Sequence, residues 1–185
     1  GSNQVELSVF VFYPLLTERL SIQPLAMADL ESFVTYRRDP DIARFQSWDT
    51  SYSHSQAKEL IESQNGVLLP AKGDWLQLGI HFGTSEELIG DLAIYRLEED
   101  AVEFELGFTL AKQFQGHGYA RESLLALMDY LFNEVSATKL WAITDRRNIN
   151  SIKLLEAVGF QRDLDRTFTE EFKGENVTVD VYSRV

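Results

Sequence analysis

The spacing of apolar and polar residues along the chain predicts both helices and strands. Strands are predicted at residues 20–24, 75–82, 88–95, 102–110 and 140–144, with a terminal pair at 164–172 and 177–183. Helices are predicted at residues 29–36, 53–64 and 119–132, with a short fourth helix that begins near Asn148 and ends before Gly159. Because antiparallel strands precede a strand–helix–strand unit, we expect an α+β fold. Its central sheet would be mostly antiparallel, with about seven strands and about four flanking helices.

Turn and cap residues support these boundaries. Pro24 closes the first strand, which is typical of an edge strand, and residues 83–86 form a polar loop of hairpin length. Ser53 is a suitable N-cap for the second helix, and Gln56 completes a capping-box pattern three residues later. The first helix is expected to stop before Asp39-Pro40.

The strand at residues 102–110 carries the most informative alternation. Its apolar residues share one face, which we interpret as core: Phe104, Leu106, Phe108 and Leu110. The opposite face carries Glu103, Glu105, Gly107 and Thr109. Two carboxylates on a central strand are costly unless they are hydrated, paired or used, so a water-filled cleft is the simplest explanation. A solvated sheet face explains the same pattern.

A glycine-containing segment joins this strand to the helix at 119–132. Gly116 and Gly118 allow positive φ angles and a close approach of the backbone to a ligand. Free N–H groups and the dipole of a helix N-terminus attract anionic oxygens. We therefore interpret the segment as a diphosphate-binding loop that needs no metal ion. The alternative is an ordinary strand-to-helix connection that uses two glycines.

A second motif about thirty residues later favours the ligand-binding interpretation of the glycine segment over an ordinary connection. Gln113-x-x-Gly116-x-Gly118, followed by Asn148-x-x-Ser151 and by Gly159-Phe160, resembles the acyl-CoA-binding signature of the GCN5-related N-acetyltransferases (GNAT). Further segments are similar to the branch that includes the ribosomal-protein N-terminal alanine acetyltransferases (RimJ/RimL-like). These are residues 16–25, 39–45, Trp48, Ile89-Gly90 and 105–108. The resemblance spans roughly residues 16 to 160.

The resemblance implies acetyl-CoA as co-substrate, direct attack of an amine on the thioester, and a sheet that splays after Leu110. The backbone of Phe108, Thr109 and Leu110 would pair with the pantetheine arm, and Asn148 would bond to it. The diphosphate would lie on the backbone of the loop, whose residues are Gly116, His117, Gly118, Tyr119 and Ala120, with Gln113 at the usual Gln/Arg position of the motif. His117 occupies a variable position and also reads as an exposed loop residue.

The resemblance also suggests roles in the chemistry. Acetyl transfer needs a neutral amine, so a base must accept a proton from the substrate. Glu105 matches the glutamate that is implicated as this base in the resembling branch. Glu103 would either raise the pKa of Glu105 or hold the substrate ammonium. Many members have a tyrosine at the position of Leu155 that donates a hydrogen bond to the departing thiolate. The resemblance implies that here Ser151 can approach the thioester sulfur instead. Asn148 also reads as a helix N-cap, with Ser151 in the first turn.

Trp48 falls where the branch places its substrate-side loop, so it is a candidate wall of the acceptor pocket or, equally, a core anchor.

Composition adds limits. A chain of 185 residues with 44% hydrophobic residues suits a single domain at residues 16–185, after an extension at 1–15 that begins with a possible cloning remnant, Gly1-Ser2. The formal net charge of −12 disfavours nucleic acid and suits an amine-bearing partner, although acidity also serves solubility. Without an apolar run of membrane-spanning length, a cytoplasmic protein is expected.

The sequence has no cysteine and suggests no metal site. A monomer and a homodimer both remain open. A catalytically silent CoA-binding sensor is the alternative function, and a Rossmann dinucleotide site is disfavoured because the motif lacks a third glycine.

Overall fold

The computed structural model describes residues 13–185, which form one eight-stranded sheet in the order β1-β2-β3-β4-β5-β6-β8-β7. The strands are β1 (Leu15–Leu16), β2 (Leu20–Pro24), β3 (Trp75–Phe82), β4 (Leu88–Arg96), β5 (Glu103–Leu110), β6 (Lys139–Asp145), β7 (Gln161–Phe172) and β8 (Glu175–Arg184). All neighbours are antiparallel except β5 and β6, which are parallel. The predicted α+β fold with a mostly antiparallel sheet is confirmed.

Within residues 13–185, five α-helices accompany the sheet: α1 (Leu30–Arg37), α2 (Pro40–Ala43), α3 (His54–Ser63), α4 (Tyr119–Asn133) and α5 (Ile149–Ala157). The capping box at Ser53 and Gln56 is present as predicted. Helix α2 was missed, since Asp39-Pro40 was interpreted only as a stop. The first helix ends at Arg37 with Arg38 as its C-cap, and Asp39 then caps the next helix, because its side chain accepts a hydrogen bond from the Asp41 amide while Pro40 occupies the first turn.

Helices cover both faces of the sheet. On one face, α4 inserts Leu124, Met128 and Leu131 into the main core, which also receives Phe104 and Leu106 from β5. On the other face, α1 and α3 build a smaller core from Phe33, Val34, Tyr36, Ala57 and Ile61. We call these the α4 face and the α1 face. The apolar side of β5 therefore belongs to the α4 face, as its alternation predicts, and Glu103 and Glu105 belong to the α1 face.

The sheet opens between β5 and β6. These strands pair only from Glu103–Glu105 to Lys139–Trp141, although β5 continues to Leu110 and β6 to Asp145. The expected splay is present, but the expectation that it follows Leu110 is wrong. The two strands separate just after Glu105, whereas β5 stays paired with β4 through Leu110.

The N-terminal region differs in detail from the predicted pattern. Strand β2 is not the outermost strand, because Leu15 and Leu16 pair with Ile22 and Ser21 and add the eighth strand. Tyr13, within the predicted extension, donates its hydroxyl to the Leu68 carbonyl at 2.9 Å and packs against the main core. Residues 1–12, including Gly1-Ser2, lie outside the described residues. Among the helices of residues 13–185, none has the length and apolar character needed to cross a bilayer.

Candidate active site

A cleft occupies the gap between the separated ends of β5 and β6. Its volume is about 160 Å³. Residues from six segments line it: Phe45, Gln46, Leu106, Gly107, Phe108, Ile143, Thr144, Asp145, Asn148, Ser151, Glu170, Phe172, Val177 and Val179. The cleft thus brings together Phe108, Asn148 and Ser151, three residues that the sequence assigned to one site.

The edge of β5 that faces the cleft carries unpaired backbone groups. The Leu97 amide donates to the Glu103 carbonyl and the Ala111 amide to the Ile89 carbonyl, so odd-numbered residues of β5 point their polar groups toward β4. Backbone groups alternate in direction along a strand, so those of Leu106, Phe108 and Leu110 point toward β6. Within residues 13–185, β6 pairs with β5 only as far as Glu105, so no strand meets the backbone groups of Phe108 and Leu110. The Leu110 carbonyl accepts a bond from Gln115 Nε2 at 2.9 Å.

Helix α5 presents its first turn to the cleft. Asn148 is the N-cap, and its Oδ1 accepts the Ser151 amide at 3.3 Å, so the capping interpretation of Asn148 is confirmed. Ser151 is 8% exposed, and its hydroxyl makes no hydrogen bond to another of the described residues. Leu155, one turn later, is 1% exposed and packs in the main core. A hydroxyl at the cleft is therefore supplied by Ser151 and not by position 155.

Glu105 lies at the narrow end of the gap, on the α1 face. It is half-buried, and within residues 13–185 its carboxylate has no hydrogen-bond or ion-pair partner. Burial raises its pKa above the ordinary value of 4.5, because removal from water penalises the charged form. It sits directly opposite Tyr95 of β4 and Trp141 of β6. A carboxylate whose pKa is raised is a stronger base than an ordinary one, which suits Glu105 to accept a proton.

Glu103 differs from Glu105 in having a fixed partner. Its Oε1 accepts the indole N–H of Trp141 at 3.0 Å. The Trp141 ring is also flanked by Lys139 and Arg166, whose charged groups lie 4.1 and 4.8 Å from its centroid. Glu103 is thereby held beside Glu105 by a neutral donor, which leaves its second oxygen available.

The glycine loop lies at the open end of β5 and leads into α4. Gly116 and Gly118 both have φ of 82°, so both require the left-handed conformation that the sequence predicts. Gly118 is the N-cap of α4. In the described part of the chain, none of the amides from Gly116 to Ala120 donates to a protein acceptor. These N–H groups are free to bind an anion at a helix N-terminus.

Gln113 is exposed, and Gln115 is the glutamine that contacts β5. The His117 side chain is exposed, while its carbonyl accepts Arg19 Nη1 at 3.0 Å. The sequence reasoning missed Arg19, although it had noted the surrounding segment for its order and spacing. Only the tertiary structure brings residue 19 to the loop.

The wall opposite β5 comes from the loop after α2 and from the β7–β8 hairpin. Gln46 Nε2 donates to Thr109 Oγ1 at 3.3 Å, which closes the cleft beside β5. Lys173, at the tip of the hairpin, donates to the carbonyls of Ala43 and Trp48, both at 2.6 Å. This lysine ties the two cleft-lining segments together.

Trp48 lies beneath this wall and does not line the cleft itself. Its indole N–H donates to the Arg37 carbonyl at 2.8 Å, its ring lies 3.7 Å from the Arg37 guanidinium carbon, and it packs on the smaller core. These contacts favour the core-anchor interpretation. Phe45 and Gln46, three and two residues earlier, contact the cleft.

Comparison with known proteins agrees with this geometry. The family model of the acetyltransferase (GNAT) domain matches residues 19–161. The chain is 26% identical over 169 residues to an uncharacterized N-acetyltransferase, p20, of Bacillus licheniformis, covering 91% of this chain and 94% of that protein.

Two solved structures share the fold. One is RimL, a ribosomal-protein alpha-N-acetyltransferase in complex with coenzyme A (TM-score 0.78, 18% identity, 91% of this chain and 95% of that chain). The other is the spermidine N-acetyltransferase of Vibrio cholerae in complex with CoA and spermine (TM-score 0.77, 19% identity, 91% and 96%). With a family model that covers most of its length, the chain belongs to the GNAT acetyltransferases.

Proposed function

We propose that this chain transfers an acetyl group from acetyl-CoA to a primary amine by direct attack of the amine on the thioester. The observation that carries the proposal is the gap between β5 and β6. It exposes backbone groups of β5 along one side and is lined by Ser151, while Glu105 occupies the last paired position of β5, one residue before the cleft lining begins at Leu106. A slender ligand with its own amides fits such a gap as an additional strand.

The residues present fit an acyl-CoA. Phe108 and Leu110 would pair through their backbones with the pantetheine amides, and Asn148 would add a side-chain contact. The free amides of residues 116–120 would hold the diphosphate, because an anion there gains both hydrogen bonds and the helix dipole. Acetyl-CoA supplies the acetyl group as a thioester. A new N–C bond forms as the C–S bond breaks, and CoA leaves as a thiolate.

Glu105 would act as the base. The amine must lose a proton to become a nucleophile, and the unpaired carboxylate of Glu105 would accept it directly or through water. Glu103, held by Trp141, would keep the incoming ammonium nearby. The Ser151 hydroxyl, which has no partner among the described residues, would donate a hydrogen bond to the departing sulfur.

The acceptor is proposed to be a protein N-terminal amine, as on a ribosomal protein, or a small-molecule amine. The RimL and spermidine enzymes that share the fold act on these two classes. The formal net charge of −12 favours a cationic acceptor of either kind. We also propose a cytoplasmic location for the enzyme.

The experiment has two arms. We expect CoA and acetyl-CoA to raise the melting temperature, and acetyl transfer to at least one member of a panel of free amines and peptides with different first residues. Absence of a thermal shift would refute the acyl-CoA site. A shift without transfer to any panel member would favour the alternative, a CoA-binding sensor that does not catalyse the reaction.

A further inference from the structure

The segment before β2 is joined to the first turn of α4 by a compact polar network. Glu122 accepts the Thr17 hydroxyl at 2.5 Å, the Arg19 amide at 3.0 Å and Arg19 Nε at 2.7 Å. Burial opposes ionisation of Glu122, but the hydrogen bonds from Thr17 and Arg19 lower the pKa of this carboxyl below its ordinary value. The charged network links parts of the chain more than a hundred residues apart.

The Arg19 guanidinium extends this network to the glycine loop. Its Nη1 donates to the His117 carbonyl at 3.0 Å, and its carbon lies 4.4 Å from the centroid of the Tyr119 ring. Its Nη2 lies 3.4 Å from the point where a Cβ on Gly118 would be. One planar side chain therefore contacts three consecutive residues of the loop while Glu122 fixes its orientation.

We propose that Arg19 is a positioning residue for the diphosphate-binding loop. The inference rests on the proposed acyl-CoA function, which by itself assigns no role to Arg19. A trans peptide is planar, so its carbonyl and its N–H point in opposite directions. By holding the His117 carbonyl, Arg19 directs the Gly118 N–H to the opposite side of the peptide, where the proposed anion would lie.

The benefit to binding is preorganisation. Two glycines make residues 116–118 flexible, and a flexible loop loses conformational entropy when a ligand orders it. The loop that Arg19 holds has already lost that entropy on folding, so less of the binding free energy is spent on ordering it.

The test compares two ligands that differ by the diphosphate. Dissociation constants for CoA, by calorimetry, and for pantetheine, by ligand-observed NMR titration, would be measured for the wild type, Arg19→Gln and Arg19→Lys. We expect Arg19→Gln to weaken CoA binding about tenfold and to leave pantetheine binding unchanged. Arg19→Lys keeps the charge but loses the planar fork, so it should restore little of the CoA affinity.

Arg121→Gln is the matched control, since Arg121 is an exposed arginine in the first turn of α4. This substitution should leave both dissociation constants unchanged. Equal losses of CoA and pantetheine affinity would show that Arg19 is merely structural and overturn the proposal. Full recovery in Arg19→Lys would assign the effect to charge alone and overturn it equally.

If Arg19→Gln fails to fold, Glu122→Gln provides a second test. This substitution keeps a hydrogen-bond acceptor for Arg19 but removes the negative charge that orients the guanidinium. We expect a smaller loss of CoA affinity and no loss of pantetheine affinity. A wild-type chain that binds neither ligand would refute the proposed function itself. A wild type that binds CoA, beside variants that bind it equally well, would refute only the role of Arg19.

Discussion

Glu105 lies directly opposite Trp141, and this is the last position at which β5 and β6 are paired. One residue further along, the strands part and the cleft begins. The candidate base is therefore held by regular sheet on one side and borders an opening on the other. This placement explains how its carboxylate can be half-buried and still lack a partner among the described residues.

The first prediction concerns the role of Glu105 in turnover. Glu105→Gln should reduce kcat by about 10²–10⁴-fold, the usual contribution of a general base. The CoA-induced thermal shift should persist, since the side chain is assigned no contact with the cofactor. Glu103→Gln is the comparison: its remaining oxygen still accepts the Trp141 N–H, so we expect a higher KM for the amine and a smaller change in kcat. An unchanged kcat in Glu105→Gln would exclude it as the base.

The second prediction concerns stability and pH. Burial raises the pKa of Glu105 above 4.5 in the folded state, so the folded protein holds this proton more tightly than the unfolded chain. Below 4.5 the carboxyl is neutral in both states. As pH rises through the raised pKa, ionisation of the buried carboxyl costs stability.

Glu105→Gln removes this cost, so the melting temperature of the variant should rise above that of the wild type as pH increases through the raised pKa. The two should converge below pH 4.5. Melting curves across this range provide the measurement, and a variant less stable than the wild type at neutral pH would contradict the prediction.

The third prediction separates Ser151 from Asn148. Ser151→Ala should leave the melting temperature nearly unchanged, because its hydroxyl has no bond to the described residues, but it should lower kcat with acetyl-CoA. Asn148→Ala should destabilise the fold by about 1 kcal/mol, because it removes the cap from the Ser151 amide. Asn148→Asp retains a capping oxygen and should recover most of that stability. Equal melting temperatures for Asn148→Ala and the wild type would show that the cap contributes nothing.

The fourth prediction concerns the conformation of the glycine loop. An added Cβ on Gly116 would meet no atom within 4 Å, so Gly116→Ala is strained only by its φ of +82°, at a cost of about 1–2 kcal/mol. We expect it to lower the melting temperature and to weaken CoA binding by tenfold or more. Gly66→Ala is a matched control, with φ of +77° and equally open surroundings in another loop. It should show a similar loss of stability and no loss of CoA affinity.

Much of the fold could be predicted because its signals are local. The bounds of β3 match the prediction, and the capping box of Ser53 and Gln56 places the start of α3. The two-residue strand Leu15–Leu16 was missed because it is too short to show alternation. The single-turn helix at Pro40–Ala43 was missed because a proline was taken as a terminator and not as a first-turn residue.

The site was predicted less completely, because its geometry depends on pairing between distant segments. Asn148 and Ser151 lie within one helical turn, so their spacing alone places them together, and the structure brings both to the cleft. The point at which β5 leaves β6 is fixed by the register of two strands and was misplaced by five residues, from Glu105 to Leu110. Contacts such as Lys173 with Trp48 join residues 125 positions apart and have no local signature.

The unpaired edge of β5 has a consequence for how this protein can evolve. In the proposed function, recognition through the peptide groups of residues 108 and 110 needs no particular side chain, since every residue except proline carries an N–H and a carbonyl. Those positions must only keep the core filled. The sequence of such a site can change widely while its backbone groups stay in place, and this chain shares its fold with solved structures at 18–19% identity. Side chains that line the cleft, such as Phe45 and Gln46, lack this freedom, so substitutions at those positions should alter the cleft first.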